Sequence, residues 1–209
     1  MRKLLALGLF IGALGTASAN VLTVDPVLIN HLYQQTTNRP CVIGENSCSN
    51  PAGFDLTLLD SNDSSFDVFS PVYTVAQIRA IVGNTFFIGY DVNQANGAPD
   101  QQISLFQMYI NNVLTDTFSS NPAKLVPPTV GGGNGNGYAD YTINGFTSLA
   151  GLADGVQIKF RAAMPVVNDG REQFFLISTN TPTVPEPMTM SLVGASLVGL
   201  ALVRRRFVK

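Results

Sequence analysis

Three polar patches carry the residue types that could do chemistry: Asp91, Asn93 and Asp100; Asn134, Asn136 and Asp140; and Asn168, Asp169 and Glu172. Calcium takes about six to eight oxygens, drawn from carboxylates, Asn side chains and backbone carbonyls, and loops of this composition supply them. The donors such a site would draw on are Asp91, Asn93, Asp100, Asn136, Asp140, Asp169 and Glu172. Asp91-Val92-Asn93 begins like an EF-hand loop but lacks that motif's glycine and closing glutamate. Each patch alone is equally explained by turn chemistry, because Asn, Asp and Gly favour turns without any metal. Calcium is the candidate cofactor, and no other is indicated.

Catalytic groups are sparse. His31 is the sole histidine, so a Ser-His-Asp arrangement would depend on that one residue. Neither Gly-x-Ser-x-Gly, His-Glu-x-x-His nor a P-loop occurs, and the Gly131–Gly137 loop lacks the Lys-Ser/Thr ending that phosphate binding requires. The chain is expected not to be an enzyme. Glycan binding usually rests on an exposed aromatic platform, and Trp is absent. That leaves Tyr73, Tyr90, Tyr109, Tyr138 and Tyr141, with Tyr138 beside the glycine loop as the best-placed ring; filling a core is the competing use of all five.

The elements that must position these groups have a period of two. Val156, Ile158, Phe160 and Ala162 alternate with Gln157, Lys159, Arg161 and Ala163, and Phe106, Met108 and Ile110 alternate with Leu105, Gln107 and Tyr109. Residues 54–58, 85–92, 113–118, 139–143 and 172–178 also read as strands, and Val21–Val24 is a further candidate. Asn111-Asn112, Gly131–Gly137 and Asn168-Asp169-Gly170 supply the turns. One short helix is expected: Thr74 and Gln77 form a capping box, Ile78, Ile81 and Val82 share a face, and Gly83 stops it. The fold class is all-β, an antiparallel β-sandwich with one short helix. Cys41 and Cys48, the only cysteines, are expected to pair and staple a turn-rich surface loop between Pro40 and Pro51.

The ends of the chain have a different character. Arg2-Lys3, the apolar run Leu4–Leu14 and Ala17-Ser18-Ala19 follow the order of a cleaved secretory signal, residues 1–19. Residues 20–178 form the exported domain, 179–184 a linker and 185–209 a terminal segment. That segment holds Pro185-Glu186-Pro187, an apolar run Met188–Val203 and the basic tail Arg204, Arg205 and Arg206. The 16 residues of that run reach about 24 Å as a helix, short of a hydrocarbon core of about 30 Å. Snorkelling of the arginines extends the span, and the positive-inside rule keeps them cytoplasmic.

Motif, apolar run and basic end, in that order, resemble the PEP-CTERM sorting signal of Gram-negative bacteria. The resemblance implies a single transmembrane sorting helix and recognition of Pro185, Glu186 and Pro187 by an exosortase-type membrane protease. It further implies export through signal peptidase and the Sec machinery, transient anchoring, and delivery to the cell surface or extracellular matrix. The stretches 89–94, 135–141 and 168–174 look similar to segments of an uncharacterised β-rich group among such proteins. A non-enzymatic structural or adhesive role in biofilm or exopolysaccharide is what this implies. A calcium- or glycan-binding module is the alternative, and a secreted hydrolase a more distant one. Six of the 12 basic residues lie in the two ends while all 14 acids lie between Asp25 and Glu186, leaving the middle near −8. That balance argues against nucleic acid as a partner.

Overall fold

The computed structural model describes residues 18–29, 31–60, 63–94, 100–129, 135–167 and 171–180. Within them the chain builds two mixed sheets and one helix. The elements in order are β1 (Asn20–Val21), β2 (Thr23–Pro26), β3 (Cys41–Gly44), β4 (Thr57–Leu58), β5 (Phe66–Phe69), β6 (Tyr73–Thr74), α1 (Val75–Val82), β7 (Phe86–Asp91), β8 (Gln102–Ile110), β9 (Val113–Leu125), β10 (Tyr141–Asn144), β11 (Gln157–Met164) and β12 (Gln173–Ser178). Residues 1–17 of the leader, the linker from 181, Pro185, Glu186 and Pro187, the apolar run and Arg204, Arg205 and Arg206 lie outside the described residues, as do Asn134, Asn168 and Asp169. Among the described residues no helix is long and apolar enough to cross a membrane.

The first sheet runs β1-β9-β8-β11-β5, with β6 beside β5 along β11; the second runs β2-β10-β7-β12-β3-β4. The expectation of a purely antiparallel arrangement needs a correction. β1 is parallel to β9, and β3 is parallel to β4. β1 and β4 are two-residue edge segments, too short to show any hydrophobic period, so only the longer antiparallel strands were visible as a pattern.

β11 follows its alternation: Ile158, Phe160, Ala162 and Met164 are buried, while Gln157, Lys159, Arg161 and Ala163 are not. Its buried face meets the second sheet through aromatic rings. Phe160 lies edge-on to Phe86 with centroids 6.1 Å apart, and Phe106 of β8 lies 5.5 Å from Phe174 of β12. β8 and β9 are joined by Asn111 and Asn112, whose φ values of 50° and 64° are those of a two-residue type I′ hairpin.

The second sheet is covered on both faces. Its other side packs Val27, Cys41, Ala139, Phe175 and Ile177, with Tyr33 and Phe87 against them. β3 and β12 therefore read as continuous apolar runs without alternation. Gly89 permits this packing, because a Cβ there would lie 2.6 Å from Cε2 of Phe175, its partner across β7 and β12.

The helix forms as expected. Thr74 Oγ1 accepts from Gln77 N, Gln77 Oε1 accepts from Thr74 N, and Gly83 caps the end with its N–H on the Arg79 carbonyl. Val75, Ile78 and Val82 are its buried face.

The expected Val21–Val24 strand is two segments, since the chain crosses from one sheet to the other at Leu22. Asn20 aligns with Asp116 of β9, and Thr23 aligns with Asn144 of β10.

Candidate functional site

Of the residues proposed for calcium, the structure brings three together. Asp91, Asp140 and Glu172 come from the end of β7, the start of β10 and the start of β12, neighbouring strands of the second sheet. All three are buried, at 1%, 2% and 0% exposure. Each accepts a backbone N–H from a loop. Gly137 N donates to Asp91 Oδ2 at 2.8 Å, Val92 N to Asp140 Oδ2 at 2.9 Å and Asn93 N to Glu172 Oε2 at 3.0 Å. Asp140 Oδ1 also accepts from Thr129 N at 2.5 Å. The carboxylates thus act as ties for the strand-end loops, holding donors that would otherwise be orphaned near the core.

Their electrostatics follow from burial. Desolvation pushes the Asp91 carboxyl up to about 7, opposed by the Gly137 hydrogen bond and reinforced by the charges of Asp140 and Glu45. Burial lifts Glu172 well above the ordinary carboxylate range against the Asn93 N–H and the Gln101 side chain, with Asp91 and Asp140 adding to the rise. Among the described residues Glu172 Oε1 lies buried with no hydrogen-bond partner. Desolvated and beside the Asp140 charge, Asp91 and Glu172 both hold a proton more readily than an ordinary carboxyl does.

The other proposed donors sit apart from this trio. Asn93 contributes through its backbone. Asp100 is exposed, and its charge is felt at Tyr141. Asn136 is exposed and accepts Tyr138 N on Oδ1, an Asx turn. Asp169 lies outside the described residues. Among the described residues no group of three or more His, Cys, Asp or Glu side chains is arranged to hold a metal ion.

His31 is exposed at φ 61°, and its ring stands edge-on to Tyr138 with centroids 4.4 Å apart. Tyr73, Tyr90 and Tyr141 are core residues at 2%, 0% and 4% exposure, whereas Tyr109 and Tyr138 are half-buried. The Tyr138 ring is also packed against the second core cluster.

Cys41 and Cys48 form a disulfide. The bridge does not simply staple a surface loop, as the turn residues around it suggested. Cys41 is fully buried in β3, and the turn chemistry belongs to the return path over residues 45–51. Asn50 folds that path back: its Oδ1 accepts from Cys41 N, and its Nδ2 donates to the carbonyls of Cys41 and Phe54. Gly44 leaves room for the bridge, since a Cβ there would lie 2.9 Å from Cys48 Sγ.

The bridged loop forms one wall of a polar cleft that no sequence motif announced. Gln34, Gln35, Ser47, Ser49, Asn136 and Gln173 line it with the backbone of the Gly135–Gly137 turn, around a volume of about 310 Å³. These are amides and hydroxyls brought together from four separate stretches of chain, each unremarkable locally. Charged residues of both signs bond to the lining: Glu45 Oε1 accepts from Gln173 Nε2 and Ser47 Oγ, Asp91 holds Gly137 N, and the Arg39 guanidinium donates to Gln34 O at 3.3 Å.

Comparison with protein families, with curated proteins and with solved structures finds no match to this chain. What can be argued about function therefore comes from the residues themselves.

Proposed function

We propose that the chain is an exported envelope protein whose all-β domain, an antiparallel-rich β-sandwich, serves a structural or adhesive role without catalysis. Its terminal segment is read as a PEP-CTERM sorting signal handled by an exosortase-type protease. The observation that carries the reading is the Cys41–Cys48 disulfide, a bond that persists in oxidising compartments and is rare in the cytosol. A chain cut just before Asn20 keeps β1 whole, because Asn20 is its first residue and aligns with Asp116 in the first sheet. The test is the intact mass of the protein recovered from the envelope and medium of the producing cell. The expected species begins at Asn20, ends at or before Pro187 and carries the bridge. A full-length reduced chain found only in the cytoplasm would sink the proposal.

Calcium stabilisation is the second reading. It rests on the buried Glu172 Oε1, which has no hydrogen-bond partner among the described residues. Melting in a calcium series against EDTA tests it: under this reading the melting temperature rises saturably, because ligand held only by the folded state stabilises that state. A flat series leaves the three carboxylates as loop ties alone.

A further inference from the structure

We infer that the polar cleft between the disulfide loop and the Gly135–Gly137 turn is a binding site for an uncharged sugar ring. The inference deepens the envelope reading by giving the adhesive domain a contact point and a ligand class. Its chemistry is argued from the cleft alone.

The cleft has fixed walls. Gln35 joins its two sides: Gln35 N donates to Gly137 O at 2.7 Å, and its side chain accepts from Ser49 N at 3.0 Å and donates to Ser49 O at 3.1 Å. Gln34 pairs with Tyr138 across an isolated bridge, and the covalent Cys41–Cys48 link holds the opposite wall. A site whose polar groups are already held in place loses less freedom on binding than a floppy one. The volume of about 310 Å³ falls at the lower end of ordinary small-ligand pockets.

One acceptor within this cleft lacks a donor. Gln173 is only 3% exposed, and its Nε2 is used on Glu45 Oε1 at 2.8 Å. Its Oε1 has Cys41 Sγ as its polar neighbour, at 4.0 Å. A sulfur in a disulfide has no hydrogen to give, so that contact is not a hydrogen bond. A buried carbonyl oxygen on a cleft-lining side chain, with no donor among the described residues, is a place for a ligand hydroxyl, since leaving such a group unmatched costs free energy.

Charge selects the ligand class. No lining residue is charged; Glu45 stands behind Gln173, and the Arg39 guanidinium donates to the Gln34 carbonyl. With one acid and one base set back from it, the lining itself offers no charge to pair with an acidic ligand. Amides and hydroxyls that both donate and accept match the hydroxyls of a neutral sugar, which do the same. The nearby Tyr138 ring is partly occupied by His31 and the core, so recognition here is through hydrogen bonds rather than stacking.

The test is saturation-transfer difference NMR on the full chain in a sugar-free detergent. The probes are the methyl glycosides of glucose, galactose, mannose and N-acetylglucosamine, with methyl glucuronate as the acidic comparison. Saturation transfer to at least one neutral glycoside is expected, exceeding that to the glucuronate. Gln173→Met and Gln34→Ala should each weaken it, roughly fivefold for one lost hydrogen bond. Gln34 is exposed, so its variant remains informative if Gln173→Met fails to fold. The inference is overturned by no transfer to any neutral glycoside, by a preference for glucuronate, or by undiminished transfer in the folded Gln34→Ala protein. Export is scored separately by intact mass, so failure here leaves that reading standing and failure there does not explain a silent cleft.

Discussion

Asp91 and Glu172 show how one pair of side chains can make stability depend on pH. Both have carboxyls raised by burial, Asp91 to about 7 against an ordinary 3.8, so the folded state binds protons more tightly than the unfolded chain. For such groups the stabilisation is fully present below the unfolded pKa and is lost as pH rises through the folded one. The domain should therefore melt at a higher temperature near pH 5 than near pH 8 in EDTA, as read by circular dichroism. Asp91→Asn keeps an acceptor for Gly137 N while removing the titration, and Glu172→Gln does the same for Asn93 N. Each should stabilise clearly near pH 8, less near pH 5 and little below about pH 4, the ordinary carboxyl range. A fall in melting temperature at both pH values would refute this account. The sequence pattern placed these two acids and Asp140 in three separate polar patches, among seven candidate donors. It could not show that they face backbone amides, because that depends on three strand ends meeting in space.

Among the elements, the helix was the most legible and β3 the least. A capping box, three apolar residues at helical spacing and a stopping glycine lie within ten consecutive residues, so local chemistry alone defines α1. Thr74→Ala should cost about 1 kcal/mol, visible as a lowered midpoint in urea unfolding. β3 is four residues long, buried throughout and flanked by turn formers, which hides it from any period-based reading. The polar cleft was hidden for a similar reason, since its six side chains share no motif and meet only where three loops and the start of β12 come together. The close packing of β7 on β12 makes a sharper claim. Gly89→Ala places a methyl against the Phe175 ring, and overpacking of this kind typically costs about 1–3 kcal/mol. Wild-type stability in that variant would show that the ring has room to move.

For the whole molecule, two sheets share one main core, and the disulfide ties the return path of residues 45–51 to it. Closing a short loop in the unfolded chain should be worth roughly 2–3 kcal/mol, so reduction with dithiothreitol should lower the melting temperature without abolishing the β signature in circular dichroism. An unchanged melting temperature would mean that the bridge is incidental to stability. The strand order has a consequence for when this protein can exist at all. β12, the last described strand, lies inside the second sheet with β7 on one side and β3 on the other. If the chain is exported as proposed, delivery from its N-terminus would bring it across with that place vacant. β3 and β7 would then wait with bare backbone edges until residue 178 had crossed, and the domain would be completed late in its transit.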